Sequence, residues 1–306
     1  MLRLYVVGCG GIGGYLTDML PMCCTSIALD FLERMGKDIK PYLREAGNSV
    51  LPTLVDKITF IDGDTFDPRN AIRQGAGAGN KLAQRLYAIN HTMVRQTFLR
   101  NMVIDGYNEY VTPANVEQMI PLQAEPNPEN VTAFQSVIDS WRLSQEYLFA
   151  NDFPVLFLCV DNVKTRYELS VYAERFKDVL VINGGNEKTT GHVTIYERRN
   201  NEALDPNIYE VFTNIRPDAD KRPDEVSCTT VGAPKHDQIA ITNAMISNIM
   251  MELFTHWATH GTLDDFANRG KTSRKNEVVL DVEKLSMSAI YHPKTAQAQT
   301  PEGESK

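Results

Sequence analysis

Two stretches of this chain carry residue types whose spacing suits the handling of a phosphorylated nucleotide. The first, VVGCGGIGG from Val6 to Gly14, holds Gly8, Gly10, Gly11 and Gly13 around Ile12. Such glycines let backbone amides approach a phosphate, and a helix begun at about Ile12 adds favourable partial charge. The second, FIDGDTFDPRNAIRQ from Phe60 to Gln74, has Asp62 and Asp64, then Arg69, Asn70, Arg73 and Gln74, with Lys81 shortly after. A carboxylate ending a strand suits ribose hydroxyls. Paired cations suit a pyrophosphate leaving group as the bond to the α-phosphorus breaks. The glycine loop alone fits NAD or FAD equally well. Hydride transfer, however, has no use for Arg73 and Lys81, and no Ser-Tyr-Lys or similar set is visible. The two stretches together favour ATP over NAD.

Strands and helices must hold these groups. Leu2 to Val7 is a continuous apolar run with one arginine, the pattern of a strand covered on both faces. Pro21 is expected to interrupt the helix that follows after about two turns, with one or two further helices filling 22–55. Lys57 to Asp62 is the second strand, and a helix is expected from about Asn80 to Asn90. A strand near Met102 to Ile104, a loop around Pro121 to Glu129 and a helix from about Val131 come next. Pro154 to Val160 is a strong strand, followed by Asp161-Asn162 and a helix through Arg175. Val179 to Asn183 is a strand ending in Gly184-Gly185, and Gly191 to Tyr196 alternates like the start of an antiparallel portion. A long helix is expected from Gln238 to Thr259, with Ile239, Ile241, Met245, Ile249 and Leu253 on its apolar side, and strands over 278–290. This alternation predicts an α/β fold: a doubly wound, mostly parallel, Rossmann-like sheet with an antiparallel extension.

The 306 residues are 42% hydrophobic and 23% charged, with a formal net charge of −8. That acidic balance argues against a broad nucleic-acid-binding surface. Five scattered cysteines without a CxxC pair support neither a four-cysteine zinc site nor a disulfide framework, and point to a reducing compartment. The longest apolar run, Val155 to Val160, is far too short to span a bilayer. The expected setting is cytoplasmic, with no membrane partner.

Four separated blocks resemble the ThiF/MoeB adenylyltransferases, whose fold is shared with the ubiquitin-activating enzymes. They are Gly8-Cys9-Gly10-Gly11-Ile12-Gly13, the acidic block ending Asn70-Ala71-Ile72-Arg73-Gln74, Gly79-Asn80-Lys81, and Cys159-Val160-Asp161-Asn162 with Arg166. A looser fifth echo is Ser227 to Gly232. The resemblance implies one domain over 1–291, with a nucleotide-binding part (1–185) and a substrate-facing part (186–291); residues 292–306 read as a disordered tail from their composition. It implies that Gly11 lies against the phosphates and that Asp62 binds the ribose. Asn70 and Arg73, with Arg69 beside them, would hold phosphates, and Lys81 would neutralise the triphosphate. Asp161, next to Asn162, would contact Mg²⁺ and the pyrophosphate end. The implied substrate is the C-terminal carboxylate of a small ubiquitin-like protein or peptide, activated as an acyl-adenylate. A homodimer is implied too, although the family's N-terminal helix and its arginine have no counterpart before the first strand, and Arg3 is a poor substitute.

The resemblance also marks Cys228 as the candidate for a second, sulfur-handling step; a small buried residue at a loop–helix junction is the alternative. Cys9, Cys23, Cys24 and Cys159 read as buried packing residues. Glu252, His256 and His260 share a helical face and fit either a metal or a helix C-terminus. Lys188 to His192 and Arg198-Arg199 are candidate substrate-groove residues, since an extended tail can add along an exposed strand such as 191–196. Two other functions stay open: a non-catalytic nucleotide- or partner-binding descendant of the family, and an NAD-dependent oxidoreductase.

Overall fold

The structure, a computed structural model, describes residues 1–34, 36, 38, 40, 54–66, 79–90, 102–124, 152–221, 240–263 and 274–293. In chain order the elements are β1 (Leu2–Val7), α1 (Gly11–Arg34), β2 (Val55–Ile61), β3 (Thr65–Phe66), β4 (Gly79–Asn80), α2 (Lys81–Asn90), β5 (Val103–Tyr107) and α3 (Val116–Met119). Then come β6 (Phe153–Leu158), α4 (Val163–Ala173), β7 (Val179–Asn186), β8 (Thr190–Arg199), β9 (Glu202–Ala203), α5 (Ile208–Val211), α6 (Ala240–His260), β10 (Glu277–Asp281) and β11 (Ser286–Ile290).

The main sheet has nine strands in the order β11-β10-β8-β7-β6-β1-β2-β5, with β9 beside β8. Neighbours from β7 through β6, β1 and β2 to β5 run parallel. The extension through β8, β10 and β11 is antiparallel. Every residue of β1 and of β6 is buried, as expected for parallel strands covered on both sides. Alternate residues serve opposite layers. Leu2, Leu4, Val6, Phe153, Val155 and Phe157 pack with α1 and α6, whereas Tyr5, Val7, Leu156 and Leu158 pack with α3 and α4. Arg3, buried in β1, forms a two-pronged ion pair with Asp152, so it belongs to the strand.

Several expectations need correction. Pro21 does not end α1, which runs unbroken from Gly11 to Arg34. A helix-interior proline costs about 3 kcal/mol. Burial of Leu16, Leu20, Cys24, Ile27, Ala28 and Phe31 on the α6-facing side offsets it. By length and composition alone α1 is apolar enough to cross a bilayer; here those residues fill the core. Gly184 and Gly185 do not end β7 but continue it to Asn186, because each pairs with β8. Side-chain room explains both glycines: a Cβ on Gly184 would lie 2.5 Å from the Met250 sulfur and one on Gly185 3.0 Å from the His192 ring. In α6, Ile241 is 55% exposed, while Leu253 is buried and Met245 and Ile249 are half-buried against the core as expected; Asn243, Ile246, Ser247, Met250, Phe254 and Trp257 complete the buried side. The expected helix from Val131 and the tail beyond Pro293 lie outside the described residues.

Candidate functional site

The chain leaves β1 towards β2 on one side, while β6 flanks β1 on the other. This reversal of strand order opens a crevice at the C-terminal ends of β1 and β6, the usual ligand position in open α/β sheets. Its floor is backbone. The Gly8 amide donates to the Ile61 carbonyl at 2.8 Å, and the Cys159 amide donates to Val7 at 2.8 Å. Gly8 has φ +90°, and a Cβ there would stand 2.8 Å from the Cys159 carbonyl oxygen. A Cβ on Gly13 would come within 1.8 Å of the Gly8 carbonyl oxygen. Only glycines allow the first turn of α1 to close on the strand exit. That turn, Gly11-Ile12-Gly13-Gly14, carries no acid, and its amides face the crevice end of the helix.

Asp62 ties this loop to β2. Its Oδ2 accepts from the Cys9 amide at 2.6 Å and its Oδ1 from the Asp64 amide at 2.8 Å. Asp64 is exposed and accepts from the Tyr110 hydroxyl at 2.5 Å. Tyr110 is held above its ordinary phenol range, first by burial, then by the Asp64 hydrogen bond and the charges of Asp64, Asp62 and Asp161. Three acids from the ends of β2 and β6 thus act on one phenol. Tyr110 and its partner loop were missed in the sequence, since Gly106-Tyr107-Asn108-Glu109-Tyr110 has no motif; the only clue is its place just after a strand.

Asp161 stands exposed after β6, while Asn162 is buried and its Oδ1 accepts from the Thr165 amide at 2.7 Å. Asn162 is therefore the N-cap of α4, which fixes the angle at which Asp161 leaves the strand. Arg166, one turn on, is buried. Its guanidinium donates to the Asn183 side chain, to the Gly184 carbonyl at 3.1 Å and to the Val160 carbonyl. Burial lowers its pKa to about 10, so it stays charged at neutral pH. Arg166 braces the turn that carries Asp161.

Arg69, Asn70, Arg73, Gln74 and Cys228 lie outside the described residues, and Lys81 is described only as the backbone start of α2. The ends of the segment holding the first four are nevertheless paired. Thr65 and Phe66 form an antiparallel ladder with Asn80 and Gly79, so the chain re-enters α2 beside Asp64. Burial raises the thiols of Cys23, Cys24 and Cys159, the last to about 12. Cys9 is fully buried. Cys9 and Cys24 are buried as expected, whereas Cys23 and Cys159 are only half-buried against the core.

The groove expectations fare differently. Strand β8 is paired on both sides, to β7 and β10, so residues 191–196 have no free edge and a tail cannot add there. Arg198 pairs with Val179 at the opposite end of β7 from the crevice, and Arg199 binds buried Glu197. Neither arginine lines a groove at the crevice. His256 and His260 stack at 4.3 Å, with a His260 ring nitrogen 2.9 Å from the His256 carbonyl. Among the described residues no three His, Cys, Asp or Glu side chains gather to hold a metal.

Helix α6 also touches the loop. Ser247 donates to the Ile12 carbonyl at 2.7 Å, and Asn243 fills the space a Gly11 side chain would need. Asn186 in turn donates to Asn243 Oδ1 at 2.8 Å. Sequence reading gave no hint of these residues, because their spacing matches an ordinary buried helix face.

A glycine-floored crevice at the switch point of a mostly parallel sheet, rimmed by strand-end carboxylates, defines a Rossmann-like nucleotide-binding protein. The sequence profile of the ThiF family matches residues 1–294, and the chain belongs to that family. Among solved structures it is similar to MccB of E. coli with succinimide (TM-score 0.51, 10% identity, 96% of this chain covered). It is also similar to PaaA (TM-score 0.50, 15% identity, 95% covered). At such identities the likeness is one of fold. The chain spans 64% of the length of either structure. Comparison with the curated proteins finds no match.

Proposed function

We propose that the protein is an ATP-dependent adenylyltransferase that activates the C-terminal carboxylate of a small ubiquitin-like protein or peptide as an acyl-adenylate, releasing pyrophosphate. The observation that carries this reading is the convergence of Asp62, Asp64 and Asp161 on one rim of a glycine floor, where Asp62 already grips the Cys9 amide. Membership of the ThiF family supports the reaction class.

In the reaction a substrate carboxylate oxygen attacks the α-phosphorus, and the bond to the β-phosphate oxygen breaks as pyrophosphate leaves. The amides of the α1 first turn bind phosphate oxygens, and Asp62 receives ribose hydroxyls. Arg73, with Arg69 and Asn70, and Lys81 neutralise charge that moves onto the leaving group. The protein needs no nucleophile of its own for this step; it positions the two reactants and excludes competing geometries. Exposed Asp161 is an oxygen donor of the kind a hard cation takes, and Mg²⁺ bound there would neutralise phosphate charge.

ATP–pyrophosphate exchange with candidate C-terminal tails tests the proposal. Exchange should appear with a matching tail and collapse in Arg73→Ala while the thermal melt persists. ATP binding without exchange for any tail would favour a non-catalytic nucleotide-binding descendant. Cys228→Ala should keep the adenylation step and lose only a later sulfur-dependent one.

A further inference from the structure

We infer that Arg85 is a further cation for the triphosphate, seated on the first turn of α1 by Gly14. The inference rests on the adenylation reading above and extends it to a residue outside every motif block.

Gly14 follows the G-x-G-G-x-G fingerprint and is not accounted for by it. A Cβ at Gly14 would stand 2.5 Å from one Arg85 guanidinium nitrogen and 3.1 Å from its central carbon. The missing side chain is therefore the seat for that guanidinium. Arg85 lies one turn into α2 from Lys81, and helical side chains lean towards the helix N-terminus. A long side chain at this place reaches back to the end of α2 that enters beside Asp64.

Neither α1 nor α2 has an acid in its first turn, and both helix starts present positive partial charge. A guanidinium set against such a helix start calls for a compensating anion. Asp18, one turn further along α1, is the acid that faces Arg85; burial raises its carboxyl and Arg85 draws it back down. An exposed aspartate on the outer part of α1 can hold the guanidinium while the crevice is vacant, and polyphosphate offers several charges in place of one. Arg is suited to this exchange because its planar fork matches phosphate oxygens.

Calorimetric titration of the full chain with ATP and with AMP tests the inference. Arg85→Ala should weaken ATP about tenfold or more, the loss expected for one charge-assisted contact, and leave AMP within about twofold. Arg85→Lys should recover part of the ATP affinity. Gly14→Ala, which crowds the guanidinium without removing it, should weaken ATP in the same selective way but by less. Thermal melts serve as the fold control. Unchanged ATP binding in folded Arg85→Ala, or equal losses for ATP and AMP, would overturn the role assigned to Arg85. A wild-type chain that fails to bind ATP at all would instead remove the adenylation reading, and this inference with it.

Discussion

Around Glu197, in the antiparallel half of the sheet, charges are buried and matched, whereas at the C-terminal ends of the parallel strands Asp64 and Asp161 stand exposed. Glu197 has no accessible surface, and accepts from Trp257 Nε1 at 2.9 Å, from Arg274 at 2.5 Å and from Arg199. Asp205 takes Arg274 through two contacts of 2.7 Å and accepts the Glu197 amide at 3.1 Å. This network ties β8, the C-terminal end of α6 and the chain entering β10, and its polar atoms are satisfied within the protein. At the crevice the carboxylates hold backbone amides or a phenol and keep a solvent face. Charges that close on one another build structure; charges that keep an open side are available to a ligand.

Substitutions put that contrast to the test. Glu197→Ala should cost the most stability, about 3–5 kcal/mol, because it leaves the Trp257 N–H unpaired and takes from Arg199 and Arg274 the buried carboxylate they share, with Arg274 left on Asp205 alone. Denaturant unfolding would measure it, and ATP affinity of the folded fraction should be unchanged; a selective loss of ATP binding would erase the distinction between the halves. Asp62→Ala should do the reverse. It removes the acceptor for two backbone amides, for about 1–3 kcal/mol of stability, and should weaken ATP more than Glu197→Ala does, as read by calorimetry. Asn162→Ala loses an N-cap worth about 1 kcal/mol and should lower exchange modestly by loosening the turn that carries Asp161.

The last effect is negligible near neutral pH and grows in alkali. The Cys159 thiol sits at about 12 in the folded protein, raised by burial, against ~8.5 in an unfolded chain. Between these values the unfolded chain has lost the proton and the folded protein keeps it, so stability falls as pH rises through that window. Melts of Cys159→Ala should show a shallower decline with pH than wild type above ~8.5; identical slopes would mean this thiol titrates normally.

The parallel half was legible because its rules are local. Continuous apolar runs mark doubly covered strands, and glycines before a helix mark the loop, so β1, β2, β6 and the crevice follow from the residues themselves. Pro21 misled because propensity is a local cost, while burial of Leu16, Leu20 and Phe31 is a tertiary gain invisible in a window of sequence. The pairing of β8 on both sides was equally hidden, since its partner β10 lies some 80 residues downstream. Tyr110 and Asn243 were illegible for the same reason: their roles arise from what folding brings beside them.

The contact between Gly8 and the Cys159 carbonyl has a consequence for how such a site can change. At Gly8, where two strand exits meet main chain to main chain, no acid, base or thiol can be installed without prying the sheet apart. New chemistry in this scaffold must therefore enter from the surrounding loops, and the bed on which the reactants rest is held constant by steric necessity.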